Sequence, residues 1–227
     1  MKRILFLLAV VCLMFVVVAC TPDEKRDYMT WEEYMAAEID SEVTIEAYVQ
    51  GKQAWWDGKG TFYLQDENGG YFVYEMPCTE EEYNKLTVGT KIRVTGVKTE
   101  WAGEIEIVEA TFKVLEGNYV AKAVDVTDKL GTDELINYQN MKVSFSELTV
   151  VNVAYKNDEI GNDIYVTVSY NGAEYDFCVE SYLTDKNTDV YKTVSKLNIG
   201  DHINVEGFLY WYNGVNTHIT SVSSHTH

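Results

Sequence analysis

The chain has 227 residues, more than one small domain needs, and its 36 Asp and Glu outnumber its 18 Lys and Arg. The formal charge of −18 opposes the phosphate neutralisation on which nucleic-acid affinity largely depends, and no local basic groove is visible in the sequence. Aromatic residues make up 13% of the chain, including 17 Tyr and 5 Trp, and this composition favours β structure.

The first twenty residues differ from the rest of the chain. Lys2 and Arg3 precede sixteen consecutive apolar residues, and Cys20 follows them directly. This order resembles a bacterial lipoprotein signal, in which residues 1–19 are removed and Cys20 receives a diacylglycerol. The resemblance implies a membrane-anchored, extracytoplasmic protein, at the cell surface or on the periplasmic side, whose formal charge becomes −20 once Lys2 and Arg3 are lost. An ordinary secretory signal and an uncleaved anchor are the alternatives, although a spanning helix needs about 20 residues.

Residues 20–41 are predicted to comprise the lipidated cysteine, a polar tether and a short helix. Thr30 and Glu33 have the spacing of a capping box, which predicts that the helix begins just after Thr30. This helix is expected to lead into the first domain.

The next segment alternates apolar and polar residues, as a strand with one face in a core does. Turn signals, including DENGG at residues 66–70, divide it further. The pattern predicts three strands, a short helix and two strands, at residues 43–50, 61–65, 71–76, 80–85, 91–99 and 104–115.

A repeated element divides the chain into two copies. LTVGTKIRVTGV at residues 86–97 returns as LNIGDHINVEGF at 197–208, with five of twelve positions identical and a displacement of 111 residues. Gly96 and Gly207 are predicted to mark a bend or a close backbone approach. The second copy is expected to repeat the element order, with a weak helix at 130–139, strands at 141–153, 164–170 and 173–179, a helix at 189–196, and strands at 201–211 and 215–222. The linker at 117–124 has little Gly or Pro, so we expect the two domains to pack together.

The order of three strands, a helix and two strands resembles the OB-fold, a five-stranded, partly open Greek-key barrel. We therefore predict a mostly β protein with two tandem OB-like barrels, at residues 42–117 and 118–227, each with a short helix between its third and fourth strands. A β-sandwich is the alternative, and it should lack that helix.

The OB-fold resemblance implies a ligand on the face of strands two and three and on the loops that join strands one to two and four to five. In the first copy these positions hold an aromatic set: Trp55, Trp56, Tyr63, Tyr71, Tyr74 and Trp101. Aromatic rings can stack on bases, sugars or peptide side chains. The alternative is that one tryptophan closes the end of the barrel and the others pack on the linker or the second domain. The second copy has aromatic residues at 210–212 but only Tyr155 in its first loop, so a supporting or spacing role and a second binding site are both open for it.

We predict a non-enzymatic binding protein whose ligand is a glycan or a protein partner. A single-stranded nucleic-acid-binding protein and a structural spacer or assembly module are the alternatives. No cofactor or metal is predicted, because His202 and His218 lack zinc-site spacing and no nucleophile elbow or phosphate loop occurs. Glu104 and Glu106 share a strand face, which we interpret as solvated and not as an acid–base pair.

Two cysteines, Cys78 and Cys178, remain after the signal segment. They either form one bridge, which requires Cα atoms within about 7 Å, or stay as two buried, inert thiols, which is the preferred interpretation.

Overall fold

The computed structural model describes residues 26–224, in which two β-barrels follow one another along the chain. The predicted signal segment and its lipidation site, Cys20, lie outside this range and stay predictions. Within the range, no helix combines the length and the apolar character needed to cross a membrane.

The elements of the first barrel are α1 (Trp31–Ala36), β1 (Glu42–Lys52), β2 (Lys59–Gln65), β3 (Gly70–Pro77), α2 (Glu80–Lys85), β4 (Thr90–Trp101) and β5 (Glu104–Asn118). The barrel closes in the order β1-β2-β3-β5-β4, with β4 pairing back onto β1 and β5 running parallel to β3. A short helix, α2, joins β3 to β4, so the predicted OB-like order is confirmed and the sandwich alternative is wrong.

Strand alternation builds the core of this barrel. Ile45 and Ala47 of β1 are fully buried and pair in register with Val94 and Ile92 of β4, which are also fully buried. Their polar neighbours along each strand face outward, as a period of two requires.

The two helices close the ends of the first barrel. The predicted capping box of α1 is present: Glu33 N donates to Thr30 Oγ1 at 3.2 Å, and Thr30 N donates to Glu33 Oε2 at 2.7 Å. Lys98 Nζ donates to the carbonyl oxygens of residues 34, 35 and 37 at 2.8–3.0 Å, which satisfies the free end of the helix. From α2 itself, Tyr83 packs on Phe62 of β2 with ring centroids 6.0 Å apart. Because side chains fill the interior, a ligand has to bind outside the barrel.

The second barrel repeats the order, as β7-β8-β9-β11-β10 with β10 pairing back onto β7. A two-residue strand, β6, adds in parallel to β7 and was not predicted, since two residues carry no periodic signal. The predicted helix at 130–139 is a 3-10 helix at Asp133–Tyr138. The remaining elements are β6 (Val124–Asp125), a 3-10 turn (Thr127–Lys129), β7 (Lys142–Tyr155), a second 3-10 turn (Lys156–Asp158), β8 (Ile164–Tyr170), β9 (Ala173–Val179), α3 (Asp189–Val194), β10 (His202–Phe208) and β11 (His218–Ser224).

The repeated glycines mark close backbone contacts, as predicted. A Cβ atom on Gly96 would lie 2.7 Å from the Val108 carbonyl oxygen, and one on Gly207 would lie 2.3 Å from the His218 carbonyl oxygen. The strand register shifts beside both glycines, so the repeat encodes the same irregularity in each barrel.

The two barrels pack directly on each other, as the composition of the linker predicted. Gln65 Oε1 accepts a hydrogen bond from Lys142 N at 2.8 Å, and Asn140 Nδ2 donates to the carbonyl oxygen of Ile105 at 3.0 Å. A Cβ atom on Gly70 would lie 2.3 Å from the Asn140 carbonyl carbon, so only glycine allows this approach.

Candidate functional site

An aromatic cluster joins the two barrels and covers part of the outer face of β2 and β3. It contains Tyr63 and Phe72 from the first barrel and Phe208 and Tyr210 from the second. The rings of Tyr63 and Phe208 stack with centroids 4.2 Å apart and planes 8° apart. The Tyr63 hydroxyl lies 2.5 Å from Nδ1 of the buried His218. The second barrel therefore occupies part of the surface on which the OB-fold resemblance places a ligand.

A cleft of about 800 Å³ lies beside this cluster, between the barrels. The first barrel contributes β2, β3, the β1–β2 loop and the β4–β5 turn, and the second contributes β8, the segment after β9 and the β10–β11 loop. Its volume falls within the range of about 300–1,000 Å³ that is typical of ligand sites.

Exposed aromatic side chains converge on this cleft. Within residues 26–224, six aromatic side chains have exposed fractions between 37% and 72%, and all six line it: Trp56, Tyr74, Trp101, Tyr165, Tyr182 and Tyr212. Single exposed apolar residues are ordinary, whereas a contiguous group indicates an interaction site. Trp101 and Tyr212 come from different barrels, and their ring centroids are 5.2 Å apart.

The loops that carry the two exposed tryptophans are fixed to the second barrel. Ala54 N donates to the Tyr182 carbonyl oxygen at 2.6 Å, and Asn213 N donates to the Ala102 carbonyl oxygen at 2.7 Å. A wall that is already ordered loses less conformational entropy when a ligand binds.

The predicted loop tryptophans have different environments. Trp56 and Trp101 line the cleft. Trp55 is partly buried against the core of the first barrel, and its Nε1 donates to the Cys78 carbonyl oxygen at 3.0 Å. Trp55 thus closes the barrel, as the alternative interpretation proposed for one tryptophan.

The predicted strand residues need correction. Tyr74 lines the cleft, but Tyr63 and Tyr71 are fully buried. Tyr63 points outward and is covered by the second barrel, whereas Tyr71 points into the first barrel, where its ring lies 5.2 Å from that of Trp31. Positions 71 and 74 differ by an odd number of residues, so alternation already places Tyr71 and Tyr74 on opposite faces.

The interpretation of Glu104 and Glu106 as solvated residues is wrong. Both face outward, since Ile105 and Ile107 between and beside them pack on the barrel core, but the outer face is not open to solvent here. Glu104 is fully buried and Glu106 is 7% exposed, because the second barrel covers this end of β5.

Glu104 of the first barrel is hydrogen-bonded to residues of the second half of the chain. Its Oε2 accepts hydrogen bonds from Trp211 N at 2.8 Å and from Gln139 Nε2 at 3.2 Å, and its Oε1 is buried without a partner. Burial raises the pKa of Glu104 to about 8 and that of Glu106 to about 7. At neutral pH, Glu104 is therefore mostly protonated.

The two lysines that line the cleft are both in ion pairs. Lys59 Nζ lies 2.7 Å from Glu75, and Lys156 Nζ lies 2.9 Å from Asp163. Burial lowers the pKa of His218 to about 3, so this ring is neutral under physiological conditions. The cleft has an acidic character, because its two lysines are paired and its histidine is neutral, while Glu106 and Glu180 add further carboxyl groups.

Cys178 lines the cleft, but both Cys178 and Cys78 are buried, free thiols, so the bridged alternative is wrong. Burial raises the pKa of each thiol, which keeps it protonated and unreactive. Among residues 26–224, no three His, Cys, Asp or Glu side chains are grouped so that they could hold a metal ion.

No protein-family model matches this chain, and no curated protein matches it. Among solved structures, a murine DNA-binding protein bound to double-stranded DNA is 9% identical with a TM-score of 0.39, covering 81% of this chain and 97% of that one. The Ifi202 HINa domain in complex with 20 bp double-stranded DNA is 13% identical with a TM-score of 0.35, covering 82% and 98%. A Replication Protein A heterotrimer bound to single-stranded DNA is 11% identical with a TM-score of 0.34, covering 82% and 49%. These similarities are distant, and all three TM-scores lie below 0.5.

Proposed function

We propose that this chain is a lipid-anchored, extracytoplasmic binding protein that holds an oligosaccharide in the cleft between its barrels. The convergence of all six exposed aromatic rings of residues 26–224 on one cleft supports this proposal. Aromatic faces pack against the apolar faces of sugar rings, while Tyr hydroxyls and carboxylates hydrogen-bond sugar hydroxyls.

Single-stranded nucleic acid is the second candidate, because the same rings would stack on bases, a contact worth about 1–3 kcal/mol per base. Phosphates, however, are bound mainly by unpaired Lys and Arg. Lys59 and Lys156 are already paired with carboxylates, and Glu106 and Glu180 add two carboxyl groups that are partly ionised at neutral pH, since burial raises the pKa of each to about 7. The charges of the cleft therefore favour a sugar without phosphate groups.

Oligosaccharides are expected to quench the tryptophan fluorescence of the full chain, and removal of a cleft ring should weaken their binding. Trp56→Ala and Trp101→Ala should each reduce the affinity by about three- to tenfold, the equivalent of one aromatic contact of about 0.5–1.5 kcal/mol. The measurement is a fluorescence titration with a panel of neutral oligosaccharides and with oligo-dT. The chain is kept in a polyoxyethylene ether detergent, which has neither a sugar nor an ammonium head group.

Ile199→Ala is the matched control, since Ile199 is 76% exposed and lies outside the cleft. Quenching by oligo-dT that falls steeply between about 50 and 200 mM salt would instead favour the nucleic-acid candidate. Absence of quenching by both ligand classes would contradict the proposal and favour a protein partner.

The proposed anchor rests on the sequence of residues 1–20 alone. Cys20→Ala should abolish the incorporation of labelled fatty acid into the protein, because the Cys20 thiol would carry the lipid. Labelling of cells that express each variant measures this loss. Cys12→Ala, within the same segment, should leave the labelling unchanged. An intact chain with an unlabelled Cys20 would contradict the proposed anchor.

A further inference from the structure

Four acidic side chains line the cleft, and two of them have no cationic partner there. Glu75 and Asp163 are paired with Lys59 and Lys156 at 2.7 and 2.9 Å. Glu106 and Glu180 form no ion pair with the residues that the structure describes.

Protein groups satisfy one of these two carboxylates. Glu180 accepts hydrogen bonds from the backbone N–H groups of Tyr182 at 3.1 Å and Leu183 at 2.9 Å. The carboxylate of Glu106 accepts no hydrogen bond and joins no ion pair within residues 26–224, yet Glu106 is only 7% exposed and lines the cleft. Burial penalises the charged form of a carboxyl group that has no partner, so Glu106 is stabilised either by taking up a proton or by meeting a positive donor. A ligand that supplies a positive donor at this position would remove that cost.

The rings around Glu106 suit the same kind of ligand. Tyr74 and Tyr210 line the cleft together with Glu106. A protonated amine is attracted to aromatic faces and forms a charge-assisted hydrogen bond with a carboxylate. A neutral sugar hydroxyl would use the rings but would give the ionised form of Glu106 no counterion.

We infer that the cleft selects a ligand with a protonated amine, held by Glu106 among the aromatic rings; for an oligosaccharide this is an amino sugar whose amine is not acetylated. This inference rests on the proposed function and specifies the sugar class.

The test compares three β-1,4-linked tetrasaccharides, of glucose, of N-acetylglucosamine and of glucosamine. They share a backbone and differ at C2, which carries a hydroxyl, an acetamide or an ammonium group. Calorimetric titration of the full chain, in a polyoxyethylene ether detergent, gives the three affinities. We expect the glucosamine tetramer to bind about tenfold more tightly than the glucose tetramer. Glu106→Gln should abolish this preference and leave the affinity for the glucose tetramer within about twofold of its starting value.

Attraction of a cationic sugar to any acidic protein has to be separated from recognition by Glu106. Glu116→Gln removes the same charge from an exposed position on the same strand, β5, outside the cleft. It should preserve the preference. Equal losses in Glu106→Gln and Glu116→Gln would overturn the inference and assign the preference to net charge.

The remaining outcomes separate the two proposals. Equal affinity for the three tetramers would overturn the amine inference and support oligosaccharide binding. Absence of binding by all three would count against both proposals.

Discussion

Phe208→Ala is expected to lower the free energy of unfolding by about 3–5 kcal/mol, the usual cost of removing a buried phenylalanine ring. Phe208 is 3% exposed and stacks on Tyr63 of the other barrel at 4.2 Å. The loss should therefore affect the contact between the barrels more than either core. Denaturant unfolding, followed by fluorescence and circular dichroism, measures the change.

A double-mutant cycle locates this effect. Phe208→Ala and Tyr63→Ala should be non-additive by about 0.5–3 kcal/mol, because the two rings are in contact. Phe62 is the matched control, since it neighbours Tyr63 on β2 but belongs to the core of the first barrel. Phe208→Ala and Phe62→Ala should add to within about 0.5 kcal/mol. Additivity in both cycles would show that the barrels do not stack in solution.

The second large effect is a loss of stability as the pH rises from about 6.5 to about 8. Burial raises the pKa of Glu104 to about 8 in the folded chain, whereas the unfolded chain has its ordinary value. Between the two pKa values, the folded state holds a proton that the unfolded state has released. The free energy of unfolding therefore falls as the pH increases, by about 2 kcal/mol between about pH 6.5 and pH 8. Glu106 and Glu180 act in the same direction up to about pH 7.

Below about pH 6.5, His218 acts in the opposite direction and offsets one of the three carboxyl groups, which makes the fall of stability with pH less steep there. Burial lowers the pKa of this ring to about 3, so between about pH 3 and the ordinary histidine pKa the unfolded state holds a proton that the folded state has released. The contribution of His218 to the free energy of unfolding therefore rises with pH over this range. Above this range Glu104 dominates the slope.

Glu104→Gln should remove the Glu104 part of this slope. Its amide oxygen can accept from Trp211 N and Gln139 as the protonated acid does, and it has no proton to lose. Glu104→Ala should instead cost about 1–3 kcal/mol even at low pH, because buried donors lose their acceptor. Unfolding curves at pH 6.5 and 8 measure both effects, with Glu116→Gln as the exposed control. An unchanged slope in Glu104→Gln would show that Glu104 ionises normally.

Local signals were enough to predict most of the fold. Alternation and turn signals predicted β8 and β9 with their observed bounds, and the short helix predicted at residues 80–85 is α2. These signals depend on neighbouring residues only, so they do not require knowledge of the tertiary structure. Strand β6 depends instead on pairing with β7, and its own two residues do not predict it.

For the cleft, the sequence predicted the strand faces of its residues but not the way in which the two barrels pack. The pattern correctly placed Glu104 and Tyr63 on an outer face, but it could not show that the second barrel covers that face. The same packing brings Tyr165 and Tyr182 to the cleft, although they lie more than 100 residues from Trp56. Which surfaces of two domains meet depends on their relative orientation, and strand periodicity carries no information about it.

None of the six exposed rings of the cleft belongs to the hydrophobic clusters that hold the barrels or their interface together. Substitutions at these positions should therefore change what is bound at little cost to folding, since surface changes usually alter stability by less than about 0.5 kcal/mol. Each barrel supplies three of the rings, so either wall can diverge while the other is retained. The cleft is thus a surface that can be altered one wall at a time.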